Sequence, residues 1–423
     1  MNNEQQYINK IQCMLCKKEY DSNSTIFFNI NENENIFICE NCIKNMSNAI
    51  SDIKKCNLVN TNNQVIDYKN FSPKYYKEYL DEYVISQENA KKTFSVAIYN
   101  HLKKIYYNKT NNNNDINLEK SNILMIGPSG VGKTFMIETI CKKLNIPYSI
   151  SDATTLTEAG YVGSDVETIL SKLIQNAGGD IKKAEQGIVF IDEIDKLGRK
   201  GENPSLTRDV GSEGVQQALL KMLDGTIVDV PLNGNRKHPM AECAKINTKN
   251  ILFICSGAFE GIDKIIKDRL YKSSKASILN NNTLNNDISF NELIHQVNDI
   301  DLRKFGMIPE ILGRLPNICT FENLDEEDLI KILTEPKNAI IKQYKKLFEL
   351  DDVEIDFEYE CLKAIASKAI EFKTGARSLR GILEKYMKKY MYEIPSNKNI
   401  GKILFTKNSF INNSEPIFVE RRD

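Results

Sequence analysis

Apolar residues follow two rhythms in this chain. Between about residue 120 and residue 260, short unbroken apolar runs alternate with longer stretches in which apolar positions recur every third or fourth residue. The runs are "NILMIG" (122–127), "IPYSI" (146–150), "GIVFID" (187–192) and "NILFIC" (250–255). A run apolar at every position suits a strand buried on both faces, so these four predict a parallel sheet with helices on each side. "KTFMIETICKKL" (133–144) predicts one covering helix. "EGVQQALLKMLDG" predicts another, with Val215, Ala218, Leu219, Met222 and Leu223 on one face and Gly225 as its stop. Upstream, "SPKYYKEYLDEYV" opens a helix, with Ser72 as N-cap and Pro73 in the first helical position. From about residue 323 the strand rhythm fades, and "DEEDLIKIL", "KNAIIKQYKKLFEL" and "YECLKAIASKAIEF" predict a mainly helical C-terminal domain.

The polar stretches divide the chain. Residues 1–50 form a unit around two cysteine pairs, and residues 51–71, rich in asparagine, read as a linker. An α/β domain then spans residues 72–321, and a smaller helical domain residues 322–423. "NKTNNNND" (108–115) and "NNNTLNND" (280–287) read as surface loops.

Composition narrows the classes. At 423 residues, 41% hydrophobic and 27% charged, the chain has the makeup of an ordinary globular protein with two or three cores. A net charge of −1 offers no basic field for nucleic acid or a membrane surface. The longest apolar runs, such as Ile251–Cys255, are strand-length, far short of a membrane span. "MNNEQQYINK" carries neither a signal core nor an arginine-rich amphipathic pattern, so a cytoplasmic location is expected, with an organelle matrix as the alternative.

Four of the ten cysteines cluster as "CMLC" and "CENC", Cys13, Cys16, Cys39 and Cys42. Paired C-x-x-C units in a chain without an export signal point to a closed tetrahedral Zn²⁺ site rather than disulfides. A fifty-residue unit has little core, so the metal is expected to supply its folding free energy.

"GPSGVGKT" fits G-x-x-x-x-G-K-[ST] between a predicted strand and a predicted helix. Gly127, Pro128, Ser129, Gly130, Val131 and Gly132 would turn backbone N–H groups toward phosphate oxygens. Lys133 would reach the β- and γ-phosphates of ATP, and the Thr134 hydroxyl would hold Mg²⁺. About sixty residues later, "GIVFIDEID" brings Asp192 and Glu193 to the carboxyl end of a buried strand, where sheets of this kind bind ligands. Asp192 would complete the Mg²⁺ shell and Glu193 would polarise the attacking water. Paired acids beside a phosphate loop predict hydrolysis. In "LTEAGYVGSDVE", Tyr161 and Val162 stand between Gly160 and Gly163, an apolar tip on glycine hinges that is poorly placed to fill a core.

In this order, the cysteine unit, phosphate loop, acidic strand and "GYVG" resemble the ClpX family of AAA+ protein unfoldases. "LDEYVISQENAKKTFSVAIYNH", "LTRDVGSEGVQQALLKMLDGT", "GNRKHP", "KFGMIPEILGRLP", "EPKNAIIKQYKKLFEL" and "KTGARSLRGILE" each resemble a family segment, in family order. The resemblance implies an AAA+ P-loop ATPase large domain, a small C-terminal domain and an N-terminal zinc-binding domain, assembled as a homo-hexameric ring. It implies that Val84 and Ile85 line the adenine pocket, although Ser86 stands where the family usually has glycine. Arg314 in "GRLP" matches the arginine that reaches a neighbouring subunit's site, and Arg377 in "GARSLR" the second sensor arginine. Tyr161 and Val162 would project into a central pore and grip unfolded or tagged protein substrates. Arg236, Lys237 and His238 match the basic loop at the pore entrance, and "SLTRDVGSEG" a second pore loop. The zinc unit would dimerise and recruit substrates or adaptor proteins. The family's link to the ClpP peptidase rests on an aliphatic-glycine-aromatic or aliphatic tripeptide. The matching stretch, "RLYKSSKASILNNNTLNND", has no glycine, with Ser277-Ile278-Leu279 as its nearest remnant. ClpP partnership and ClpP-independent remodelling therefore both stand as expectations.

Overall fold

The computed structural model describes residues 10–21, 27–31, 34–40, 42–44, 71–110, 116, 118–157, 164–198, 210–231, 243–276, 288–372, 374–397, 399–412 and 414–421. The chain divides into two compact units, Met1–Val65 and Ile66–Asp423.

In the first unit β1 (Lys10–Gln12) pairs antiparallel with β2 (Glu19–Asp21), and β3 (Phe27–Asn31) with β4 (Glu34–Cys39). Its buried centre, among the described residues, is Cys13, Ile38 and Cys39, with Cys16, Cys42 and Ile43 packed against them. So small an apolar cluster cannot offset the entropy of ordering the chain around it.

The second unit opens on the helix Pro73–Asp81, where the Ser72 hydroxyl accepts the Tyr75 amide at 3.3 Å and Pro73 fills the first turn. The helix Glu88–Thr110 follows. The central sheet has five parallel strands: β5 (Ile123–Ile126), β6 (Tyr148–Asp152), β9 (Ile188–Asp192), β12 (Leu252–Gly257) and β13 (Asn317–Thr320), ordered β13-β5-β12-β9-β6. Between β6 and β9 lies the short parallel pair β7 (Leu156–Thr157) and β8 (Ser164–Asp165); β10 (Ile227–Pro231) and β11 (Cys243–Asn247) form an antiparallel ribbon.

Alternate residues of the central strands enter two separate cores, which is why the runs are apolar throughout. Leu124, Ile126, Val189, Ile191, Phe253 and Cys255 face one side, with Val215, Leu219, Met222 and Leu223 of the helix Val210–Leu223. Ile123, Met125, Ile188, Phe190, Leu252 and Ile254 face the other, with Phe94, Ile98 and Leu102 of Glu88–Thr110 and Met136, Ile137 and Ile140 of Lys133–Leu144. Each fully buried aliphatic or aromatic side chain contributes about 1.5–3 kcal/mol.

A third core organises the C-terminal part around the helices Glu326–Thr334, Ile340–Glu349, Tyr359–Glu371 and Arg377–Glu393. It also contains a three-stranded sheet of β14 (Glu354–Phe357), β15 (Ile400–Phe405) and β16 (Ile417–Glu420), which the apolar pattern does not announce. These strands are short and interrupted by polar residues; β16 is exposed at all four positions. The edge strand β13 escapes the pattern for the same reason: in "NICT" only Cys319 is buried.

Candidate nucleotide site

Three parallel strands end at one cavity. β5 runs into the phosphate loop, β9 into Asp192 and Glu193, and β12 into Gly257, whose carbonyl accepts the Gly127 amide at 3.2 Å. The cavity measures about 460 Å³ and is lined by Ser129–Thr134, Asp192, Glu193 and Asp195 on one side, and by Val84, Ile85, Leu324 and Ile332 on another, with Arg377 at its edge. Gly130 (φ +80°) and Gly132 (φ +97°) take left-handed backbone where the loop curls into the helix Lys133–Leu144. Any side chain at Gly130 would also meet the Thr374 carbonyl, 2.1 Å from the position of its Cβ.

The Lys133 ammonium is folded back on the loop, donating to the carbonyls of Gly127 at 2.5 Å and Pro128 at 2.9 Å. Burial pulls its pKa down to about 8, against the opposing charges of Asp192 and Asp195. Anionic oxygens entering the cavity would compete for the same ammonium protons and favour its charged form. Thr134 and Asp192 both line the cavity, an oxygen pair suited to a hard divalent cation such as Mg²⁺. Glu193 is a non-glycine residue at φ +56°, and its amide donates to the Asp192 carboxylate at 3.0 Å. Left-handed backbone of this kind costs about 1–2 kcal/mol, and it concentrates at functional positions.

Asp195, absent from the expected site, is fully buried. Its two carboxylate oxygens accept the amides of Ala258 and Phe259, each at 3.3 Å, tying the end of β9 to the loop after β12. A Cβ at Gly257 would stand 2.6 Å from the same carboxylate. The second aspartate of "DEID" is the available signal. Leu324 and Ile332, which complete the apolar wall, carried none.

Arg377 begins the helix Arg377–Glu393 and donates to the Ser129 hydroxyl at 3.2 Å; next to it the Ala376 amide donates to the Gly130 carbonyl at 3.0 Å. The C-terminal part thus rests directly on the phosphate loop. Arg314 does not line its own chain's cavity. It ends the helix Pro309–Arg314, pairs with Asp224 at 2.5 Å, and its carbonyl accepts the side-chain amide of Asn122 at 2.9 Å. Tyr161, Val162, Arg236, Lys237 and His238 lie outside the described residues, as does 277–287, which includes Ser277-Ile278-Leu279. The flanks are described: Leu156 pairs with Ser164, and Pro231 with Cys243, so each pair of loop ends is held together.

In the first unit the sulfurs of Cys13, Cys16, Cys39 and Cys42 all lie within 4.8 Å of one another, with Cys13–Cys42 and Cys16–Cys39 at 3.9 Å. A zinc ion at 2.3 Å from four sulfurs requires separations of about 3.8 Å, so the residues fit the metal. Amide donation from Cys16, then Cys39, pulls the Cys13 thiol down to about 6, favouring the thiolate that a metal needs.

The AAA domain (Cdc48 subfamily) family matches residues 118–318, and the family described as the C-terminal, D2-small domain of ClpB protein matches residues 324–404. The chain is 48% identical to the ATP-dependent Clp protease ATP-binding subunit ClpX of Treponema denticola, over 95% of this chain and 94% of that protein. It is 50% identical to the proteins of the same name from Borrelia duttonii and Borrelia recurrentis, over 83% of this chain and 81% of each relative. A strand-end phosphate loop with a C-terminal part leaning on it, and an Asp-Glu pair lining the same cavity, go with these matches: the chain is an AAA+ ATPase belonging to the ClpX family.

Proposed function

We propose that this chain is the ATP-hydrolysing subunit of a homo-hexameric protein unfoldase that supplies unfolded polypeptide to a Clp peptidase. The observation that carries the reading is the convergence of Lys133, Thr134, Asp192 and Glu193 on one cavity with Arg377 at its edge. The relatives' name, ATP-dependent Clp protease ATP-binding subunit, supports the peptidase connection. The missing glycine tripeptide in "RLYKSSKASILNNNTLNND" favours a second reading, ClpP-independent remodelling.

In the mechanism, phosphate-loop amides and Lys133 hold the β- and γ-phosphates, and the adenine sits against Val84 and Ile85. Glu193 accepts a proton from water as the water oxygen bonds to the γ-phosphorus and the bond to the β-phosphate oxygen breaks. Thr134 and Asp192 would hold Mg²⁺, which when bound would neutralise charge on the phosphate oxygens. Arg314 of a neighbouring copy neutralises the charge building on the transferred group, which explains why it stands clear of its own cavity. Arg377 reports nucleotide occupancy to the C-terminal domain. The resulting motion is passed to Tyr161 and Val162, which grip substrate, while Arg236, Lys237 and His238 attract it at the pore entrance. Residues 1–50, holding Zn²⁺ through Cys13, Cys16, Cys39 and Cys42, recruit adaptors or substrates. No helix among the described residues is long and apolar enough to cross a membrane; the cytoplasm is the proposed compartment.

The test compares ATPase stimulation by unfolded protein with that by single-stranded DNA, and follows unfolding of a tagged substrate by Tyr161→Ala. Stimulation by protein, with unfolding lost and basal hydrolysis kept in the variant, is expected; stimulation by DNA alone would overturn the reading. Degradation in the presence of the host's ClpP separates the peptidase-linked reading from stand-alone remodelling.

A further inference from the structure

The loop that carries the base wall of the cavity holds two consecutive non-glycine residues in left-handed backbone, Ser86 at φ +54° and Gln87 at φ +60°. L-residues resist that conformation, so neighbouring contacts must impose it. Gln87 is buried and bonded twice to the backbone of Glu322: its Nε2 donates to the Glu322 carbonyl, and the Glu322 amide donates to its Oε1, both at 2.9 Å. The Ser86 hydroxyl donates to Oδ1 of Asp328 in the first turn of Glu326–Thr334, the helix that contributes Ile332 to the cavity. Asp328 uses its other oxygen, Oδ2, for the Asp325 amide in the helix cap, leaving Oδ1 for Ser86. At the start of the loop, Glu82 meets Lys337 through its carbonyl at 2.9 Å and its carboxylate at 2.7 Å. From the opposite side the buried Lys91 donates to the Val84 carbonyl at 3.3 Å and is itself paired with Asp81 and Glu88.

Tyr83, Val84 and Ile85 are therefore slung between a fixed helix and the C-terminal part. A glycine at position 86 would adopt this backbone freely but could bond to nothing across the gap. We propose that Ser86 and Asp328 form a hydroxyl–carboxylate latch that holds the base wall shut, making Ser86 a positioning residue that sets how fast nucleotide leaves. The proposal rests on the reading that this cavity binds ATP with its base against Val84 and Ile85. The latch bond crosses from the loop to the helix that would have to swing away for release, so it breaks on opening and re-forms on closure.

The experiment uses the full chain and measures dissociation of a fluorescent ADP analogue together with steady-state ATPase, for wild type, Ser86→Gly, Asp328→Ala and the double variant. A charge-assisted hydrogen bond lost at a partly exposed site predicts about five-fold faster release and a similar rise in KM for ATP in Ser86→Gly, larger than any change in kcat. In the Asp328→Ala background, Ser86→Gly should add almost nothing, because the bond is already gone. Wild-type release from Ser86→Gly, or effects of the two substitutions that multiply fully, would overturn the latch. Lys133→Ala separates the two layers. If it abolishes analogue binding while Ser86→Gly behaves as wild type, the latch alone fails; if Lys133→Ala binds as well as wild type, the nucleotide-site reading fails with it.

Discussion

On the proposed reading, the wall of the cavity that would face the phosphates and the wall that would face the base are made of different materials. The phosphate wall is backbone and charge: the loop Gly127–Thr134 follows β5, Asp192, Glu193 and Asp195 stand at and just beyond the end of β9, and both groups are tied to the end of β12 between them, through the Gly127 amide and the Asp195 carboxylate. The base wall is apolar, drawn from Val84, Ile85, Leu324 and Ile332, and is kept in place by side-chain bonds between distant segments. Transition-state stabilisation needs donors fixed within fractions of an ångström, which strand ends supply. Exchange of ADP for ATP needs a wall that can give way, and a few side-chain bonds supply that. Substitutions on the first wall should therefore act on kcat, and those on the second on KM.

The largest expected break comes from Glu193→Gln. Removing the group proposed to accept the water proton should lower kcat by about 10²–10⁴-fold while ATP still binds, measured by turnover alongside equilibrium binding. Next is Asp195→Ala, which leaves the Ala258 and Phe259 amides buried without an acceptor. A loss of about 3 kcal/mol in denaturant unfolding is expected, with kcat reduced about ten-fold and KM reduced or raised less. A variant that kept both stability and kcat would show that the β9–β12 tie does not matter to the phosphate wall. Ile332→Ala tests the other wall: KM for ATP should rise about three-fold, with kcat changing less. If kcat fell further than KM rose, the division between the walls would collapse.

The smallest effect concerns the charges beneath the base loop. Lys77, then Lys91, hold the Glu88 carboxyl down to about 2, below its ordinary value of 4.5. Its folded-state value is the depressed one, so the bridge stabilises the fold above pH 4.5, and that contribution fades as pH falls toward about 2. Glu88 is largely solvated, and screening reduces the effect to about 0.5 kcal/mol. Glu88→Gln should be less stable than wild type by that amount at pH 7 and equal to it near pH 2, read from denaturation midpoints across the range.

The same contrast explains what sequence reading reached. The phosphate wall is written in two contiguous runs, "GPSGVGKT" and "FIDEID", and each follows an apolar run that had to be a buried strand. The base wall draws on positions 84 and 332, nearly 250 residues apart, and nothing in "DEEDLIKIL" distinguishes an isoleucine lining a cavity from one filling a core. Asp195 was on view in "DEID", yet only burial reveals that it ties two strand ends together instead of meeting solvent. β13 and the C-terminal sheet were missed because strands of four to six residues with polar interruptions leave no periodic signal. Ser86 stood out as a departure from glycine, but the reason for it lies at Asp328.

Arg314 carries a consequence for the cell. Its guanidinium pairs with Asp224 of its own chain, stays largely exposed and stands clear of its own cavity. On the proposed reading a lone subunit can load ATP but cannot spend it, because the missing cation belongs to someone else. Dilution would silence turnover while nucleotide stays bound, and the specific rate would climb with concentration as subunits close into rings. Hydrolysis in such a protein is a quorum property, and idle subunits waste no fuel.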